Sequence, residues 1–407
     1  MIAPGTVGLL GGAALSLLTF SAQAQALAQT QITYGRALAL SQQLAPTAAV
    51  ARATQTVAEA DSRVAGIYPN PTLQAGTSTQ AARLSLGVSV PLAILGQRGS
   101  ALRAGRAELN VAKLDTQAAL ADVRAAAGHA FVALWLAEHT ADARANAAAV
   151  AARLETAALG RVELGSAPQL DGLRAHSERL RADMDAQTAR AQVDAAAAEL
   201  AVWIGATYDT PLRVSGDPEM PAAAPQLTDL WQRTASNPSV QRANAEAAAS
   251  QARASNERAQ VRPLMSLDLG ADLYDPTTPA TNYRAQLGVE VPVFNQRGPL
   301  IEREERRSVA ARWQARAEQA RLGSALVFAY RTYVAASQRM QALSEGVLPA
   351  AVAAARATEE SYSLGRAPLV AVLDAERARI ETELSFVESR GAQADAWLEV
   401  EHTLGVK

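Results

Sequence analysis

Along this chain, apolar and polar positions recur with two different periods. Between Leu84 and Leu92 the period is two: Leu84, Leu86, Val88, Val90 and Leu92 alternate with Ser85, Gly87 and Ser89. The same alternation returns at Tyr283, Ala285, Leu287, Val289, Val291 and Val293, set between Arg284, Gln286, Gly288 and Glu290. Such alternation predicts strands with one apolar and one polar face. A partner precedes each. Leu267, Leu269, Ala271 and Leu273 alternate with Ser266, Asp268, Gly270 and Asp272, and a weaker run begins at Pro71. The expectation is two hairpins, with strands at about 71–80 and 83–92 and at about 264–274 and 283–293.

Elsewhere the period is helical. Residues 98–164 contain no proline, and a continuous helix of that length would reach roughly 100 Å. Leu120, Val123, Ala127, Phe131 and Leu134 form one apolar seam along it. Returning helices are expected to carry Leu173, Leu180 and Met184 in one case and Leu373, Ile380, Leu384 and Val387 in the other. Gly165 and Gly365 stand where the outgoing helices must stop, and Pro168 and Pro368 where the return helices begin. Two long antiparallel helical hairpins follow, with LGSAP and LGRAP at their turns.

These elements are written twice. LGVSVP at 86–91 matches LGVEVP at 287–292, an offset of 201, and GQRG at 96–99 matches NQRG at 295–298. LGSAP at 164–168 matches LGRAP at 364–368, an offset of 200. Upstream, Pro46 and Pro71 match Pro238 and Pro263 at an offset of 192, so the second copy carries about nine extra residues (201 − 192) near ADLYDPTTPATNY. The expected division is a first repeat over 30–205, a proline-rich linker over 206–226 and a second repeat over 227–405.

Composition narrows the function. The chain has 407 residues, 49% of them hydrophobic and only 4% aromatic, and a formal charge of −2, which gives no electrostatic case for a nucleic-acid partner. Its start has an apolar run from Val7 to Phe20 followed by small residues at A-x-A spacing, which predicts a signal peptide over about 1–26 and hence export. With no cysteine there is neither a disulfide nor a residue to carry an N-terminal lipid. Beyond the start, no segment reads as a transmembrane helix. His129, His139, His176 and His402 are scattered on helical stretches and read as packing or surface residues, so no enzyme activity, metal site or cofactor is expected.

Amphipathic strands of about ten residues suit a membrane barrel, with apolar side chains to lipid and polar ones to a wet lumen. Four cannot close one, since small barrels need about eight. Other copies of the chain must complete it.

The two-repeat order, the VP after the second strand of each hairpin, whose proline is expected to mark the exit from strand into helix, and the phrase YSLGRAPLVAVLDAERARI at 362–380 resemble the TolC-like outer membrane factors. VPLAILGQRG and VPVFNQRGPLIE are further similar to their CzcC-like, cation-efflux branch. The resemblance implies a mainly α fold with a small β part. A homotrimer would pool its strands into a twelve-stranded outer-membrane barrel and its helical hairpins into a periplasmic tunnel. Its implied partners are outer-membrane lipid, a periplasmic adaptor and an inner-membrane pump of the resistance–nodulation–division type. It also places a periplasmic gate at Asp374 and Tyr362, with Arg366 as a displaced basic partner, and an alanine, Ala371, where some members carry a second acid. The adaptor-docking tips would be Leu164, Gly165, Ser166 and Ala167 together with Leu364, Gly365, Arg366 and Ala367. Metal cations are the expected cargo. The same duct serving drug efflux or type I secretion, and a soluble periplasmic coiled-coil adaptor, are the alternative readings.

Overall fold

The computed structural model describes residues 31–77, 84–221, 223–273 and 281–406. The expected signal peptide at 1–26, the distal part of the first hairpin and Tyr274 lie outside the described residues.

The duplication holds element by element. The first copy runs α1 (Tyr34–Leu44), α2 (Pro46–Val64), β1 (Thr72–Gly76), β2 (Leu84–Leu92), α3 (Gln97–Glu163) and α4 (Gln169–Trp203). The second runs α5 (Leu227–Arg233), α6 (Pro238–Gln260), β3 (Leu264–Leu273), β4 (Asn282–Glu290), α7 (Gly298–Ala342), α8 (Leu348–Ser363) and α9 (Leu369–Leu404). The counterpart of α3 is interrupted by a π-helical turn over Leu343–Val347. Pro349, in the first turn of α8, explains it: proline cannot donate to the preceding turn and its ring crowds that turn's carbonyl. The second copy's outgoing helix is therefore not the unbroken rod of the first.

The four strands form one antiparallel sheet in the order β1-β2-β3-β4, so β2 and β3 join the hairpins of the two copies. Register keeps like with like. Leu86 faces Ala75 on one side and Ala271 on the other, Val88 lies between Leu73 and Leu269, and Leu267 lies between Val90 and Leu287. The intervening rows are polar or glycine, with Ser89 beside Asp268 and Asp268 beside Gln286.

The ends differ from expectation in two respects. Pro91 lies inside β2, opposite Ser266, rather than marking an exit; β1 has already ended opposite Ser89, so one side of β2 has no strand to donate to. And β4 stops at Glu290, short of the Val291-Pro292-Val293 run.

The described residues divide into two compact units, each drawing on both copies. One, comprising Val50–Ala118 and Ala235–Arg321, holds the sheet with the helix segments that flank it. Its helices are tied by charge: Glu304, nearly inaccessible, accepts from Arg253 Nε and Arg303 Nε at 3.0 Å each and from Arg307 Nη1 at 2.7 Å.

The other unit, comprising the chain up to Ala49 with Ala119–Thr234 and Leu322–Lys407, is helical. Its core gathers Leu38, Phe131, Leu134, Trp135, Leu200 and Leu398. The seam expected on α3 is here, with Val123, Ala127, Phe131 and Leu134 all buried. The segment between the copies is part of this core: Leu212 is buried, and Val214 bridges Ile32 in parallel.

On α4 the expected seam is not the buried face. Leu173, Leu180 and Met184 are exposed, while Ala175, Ala186, Ala189, Val193 and Ala197 are buried. Small side chains let helices approach closely, as at Gly128, where an added Cβ would sit 2.6 Å from Leu398. One stretch of α3 also corrects the sequence reading: with a mean hydropathy of 1.3 it is apolar enough to cross a membrane, but 56% of it is buried within the protein, as a core helix is.

Candidate functional site

The sheet presents an apolar face that is exposed among the described residues. Leu73 on β1, Leu86 on β2, Leu269 on β3 and Tyr283 and Leu287 on β4 are all exposed. Exposed apolar surface on this scale costs about 25 cal/mol per Å² in water, so such a face calls for a non-aqueous neighbour. The opposite face carries Asp268, which accepts from Ser266 Oγ at 3.1 Å, and Asp272, paired with Arg284 at 3.0 Å. One face suits lipid and the other water.

In the helical unit, the two hairpin turns are built alike. Gly165 has φ 68° and Gly365 φ 73°, the left-handed conformation that glycine adopts without strain. The amide of Ser166 donates to Arg161 O and that of Arg366 to Ser361 O, which closes the last carbonyls of α3 and α8. Pro168 and Pro368 then precede the first residues of α4 and α9. Leu164 and Leu364 are 84% and 66% exposed, apolar side chains held out at the turns. Ser166 and Arg366 are exposed too, with Ala167 and Ala367 half-buried.

Among the described residues, no hydrogen bond or ion pair joins the three expected gate residues to one another. Tyr362 is buried among Leu154, Ala158, Leu369 and Val372, and its hydroxyl has no partner among the described residues. Its cationic neighbour is Arg161, whose guanidinium lies 4.7 Å from the ring centroid and whose Nη1 donates to Tyr362 O at 2.9 Å. Asp374 is exposed and lies 3.7 Å from Arg377, its partner one turn on. Arg377 in turn is gripped in bidentate fashion by Glu178, at 2.9 and 2.5 Å, which holds that carboxyl below the usual range. Sequence reasoning missed Arg161, Glu178 and this clamp between α4 and α9. The only signal was a basic residue in the last turn of α3.

A second constellation joins α3 to α9. His129 Nδ1 and Asp395 lie 2.9 Å apart, as do His402 Nε2 and Asp122, and both imidazoles turn their other nitrogen toward Glu399, at 3.7 and 3.8 Å. The hydrogen bond to Asp395, and then the nearby Glu399, push His129 up to about 9. The hydrogen bond to Asp122 and the same Glu399 do likewise for His402. Facing both histidines, Glu399 is held far below the usual carboxylate range. His176 is likewise 2.6 Å from Glu155. Among the described residues no group of three or more such side chains is arranged to hold a metal ion.

The fold is that of the outer-membrane efflux channels. The outer membrane protein VceC of Vibrio cholerae superposes with a TM-score of 0.74 at 15% identity, over 91% of this chain and 96% of that one. The CmeC outer membrane channel of Campylobacter jejuni gives 0.76 at 11%, over 91% and 85%. The CusC channel gives 0.70 at 15%, over 91% of both. Residues 232–406 match the family described as outer membrane efflux protein, which places that family's signature across the second copy. In sequence, the chain is 24% identical over 351 residues to the cobalt-zinc-cadmium resistance protein CzcC of Cupriavidus metallidurans, spanning 84% of this chain and 82% of the relative. The second copy thus carries the signature of the outer membrane efflux proteins, the chain as a whole has the fold of these channels, and its sequence is similar to the CzcC relative.

Proposed function

We propose that this protein is the outer-membrane duct of a tripartite efflux pump of the resistance–nodulation–division type, and that it exports heavy-metal cations. Three copies complete a barrel from their four-stranded sheets, apolar face to lipid and polar face to the lumen. The observation that carries this reading is the register of the sheet: strands from both copies align their apolar rows into one uncovered face. Among the described residues both outer strands, β1 and β4, pair on one side only, which leaves edges for neighbouring copies to take up. No reaction is proposed; the duct offers a wet path and the pump supplies the work.

Metal cations are favoured as cargo by the likeness to a cobalt-zinc-cadmium resistance protein and by acids on the polar face. The turns at Leu164–Ala167 and Leu364–Ala367 would meet the adaptor, and Asp374 would line the narrow periplasmic end. Deleting the gene, then measuring zinc, cobalt and cadmium sensitivity alongside fractionation of the tagged protein, tests both levels. Recovery in the soluble periplasm would remove the duct reading. Outer-membrane trimers with unchanged metal sensitivity would remove only the cargo.

A further inference from the structure

In the unit that holds the sheet, α6 of the second repeat lies against α3 of the first. Arg242 Nε is 3.5 Å from Asp115, Arg253 Nη1 is 3.4 Å from Glu108, and Ser100 Oγ donates to Asn256 at 3.3 Å. The seam follows from the sheet: α6 leads into β3, and β2, its antiparallel neighbour, leads out into α3. The outer strands stand in the same relation, since α2 leads into β1 and β4 leads out into α7. An equivalent seam is therefore closed once inside the chain and left open once at its edges.

The equivalent residues can be named from the duplication. Pro46 and Pro238 open α2 and α6 at an offset of 192 (238 − 46), and GQRG and NQRG set α3 against α7 at 199 (295 − 96). Burial keeps the second offset, with Gly105 and Thr116 buried on α3 and Glu304 and Ala315 on α7. Arg242, Ala249 and Asn256 of α6 then correspond to Val50, Val57 and Val64 of α2. Ala249 is fully buried, whereas the three valines are exposed, one every seven residues, as in a helix-docking seam. On the facing helix, Ser100 is buried while its equivalent, Pro299, is exposed. One ion pair is reversed in sign: Arg253 corresponds to Asp61, and Glu108 to Arg307. Asp61 is exposed and has no ion pair among the described residues; Arg307 donates to Glu304 yet stays half-exposed.

We infer that α2 docks on α7 of a second copy of this chain, in the register that sets Val50 beside the partner's Gln314 and Asp61 beside the partner's Arg307. The inference rests on the reading that several subunits complete the sheet, and it adds the residues that select the neighbour. The valines supply the apolar contact, and the reversed charges sort the two seams. An α2 that took the place of α6 on α3 would set Asp61 against Glu108. An α6 that strayed onto a foreign α7 would set Arg253 against Arg307. Like charges reject both exchanges. Because the α2 and α7 faces differ, the contact runs head to tail, the kind that closes a ring when the rotation permits.

The chain has no cysteine, so introduced thiols report cleanly. Full-length Val50→Cys and full-length Gln314→Cys, carrying different tags, would be co-expressed and treated in isolated outer membranes with a short bifunctional thiol reagent. The expected product joins the two tags. None should form when Asp115→Cys, at the equivalent place on α3, stands in for Gln314→Cys. Adding Asp61→Arg should lower the yield severalfold, and that loss should shrink as salt rises. Outer-membrane trimers without the link between positions 50 and 314 overturn the seam and leave the duct reading standing. A link from 50 to 115 overturns the sorting, as does a yield that Asp61→Arg leaves unchanged. Capture of Val50→Cys on a different protein means that another partner covers the stripe, and overturns the inference. Chains recovered only as soluble monomers overturn the duct reading and the seam with it.

Discussion

Arg161, in the last turn of α3, lies over the ring of Tyr362, near the end of α8, and donates to its backbone carbonyl at 2.9 Å. This one side chain ties the two hairpin turns together, although 201 residues separate the pair. Arg161→Leu should therefore loosen both turns by about 1–2 kcal/mol, counting the ring contact and a charged hydrogen bond. Faster amide exchange at Leu364, Gly365 and Arg366 would report it. Tyr362→Phe separates ring from hydroxyl: since that oxygen is buried without a partner, its loss should be close to neutral. Tyr362→Ala, which opens a cavity among Leu154, Leu369 and Val372, should cost about 3–5 kcal/mol.

The same pair marks the limit of what the sequence discloses. Period-two alternation and internal duplication made the sheet readable, because each hairpin could be checked against its twin. LGSAP and LGRAP announced the turns through glycine and proline, whose backbone demands are local. Arg161 with Tyr362, and Asp122 with His402, are unions of distant residues, and nothing near either partner predicts the other. The buried face of α4 was hidden for another reason. It is built of alanine in an alanine-rich chain, so no hydrophobic contrast marked it, while the conspicuous Leu173, Leu180 and Met184 point outward.

The two turn glycines should respond unequally to substitution. At Gly165 an added Cβ meets nothing within 4 Å, whereas at Gly365 it would come within 3.1 Å of Arg161 Nη2. Both pay the left-handed penalty of about 1–2 kcal/mol for a side chain with a Cβ. Gly365→Val adds the displacement of Arg161, so it should disturb the turn more than Gly165→Val. Trimer assembly should persist in both. Cross-linking to the adaptor should fall further for Gly365→Val. Equal, wild-type cross-linking in both would mean that these turns are not the docking surface.

Histidine charge should make the helical unit pH-dependent. Facing His129 and His402 are Asp395 and Glu399 on α9 and Asp122 on α3, with Arg124 and Glu401 paired alongside at 3.6 Å. The folded value of about 9 lies above the ordinary 6.5 for both rings. Protonation therefore stabilises the fold fully below about pH 6.5, and that contribution is lost as pH rises through about 9. Since the rings are partly exposed, about 1 kcal/mol each is a fair discounted figure. Glu399 acts oppositely, its contribution failing only as pH falls below the carboxylate range. Thermal melts should show wild type weakening between pH 6.5 and 9, and His129→Gln with His402→Gln should flatten that slope.

In the unit that holds the sheet, the vulnerable group is Glu304. Three guanidiniums converge on a carboxylate that is only 2% exposed. Removing it leaves Arg253, Arg303 and Arg307 to repel one another, so Glu304→Ala should cost about 3–5 kcal/mol. Glu304→Gln keeps the shape and one acceptor and should cost less. Proteolysis of the unit by trypsin, followed over time, should rank them Ala, Gln, wild type from fastest to slowest.

Asp374 offers the sharpest test of cargo. Its carboxylate is exposed, and the nearby Arg377 is already committed to Glu178, so at 3.7 Å it neutralises Asp374 only in part. If three such carboxylates surround a narrow axis, they should favour cations over anions in the lumen. Asp374→Asn should then move the reversal potential of a reconstituted channel, measured across a salt gradient, toward zero. Arg377→Gln should move it the other way by freeing Asp374 from its neighbour, and both shifts should shrink as ionic strength rises. If neither substitution changes selectivity while trimers and conductance persist, Asp374 is a solvated helix residue and the gate lies elsewhere.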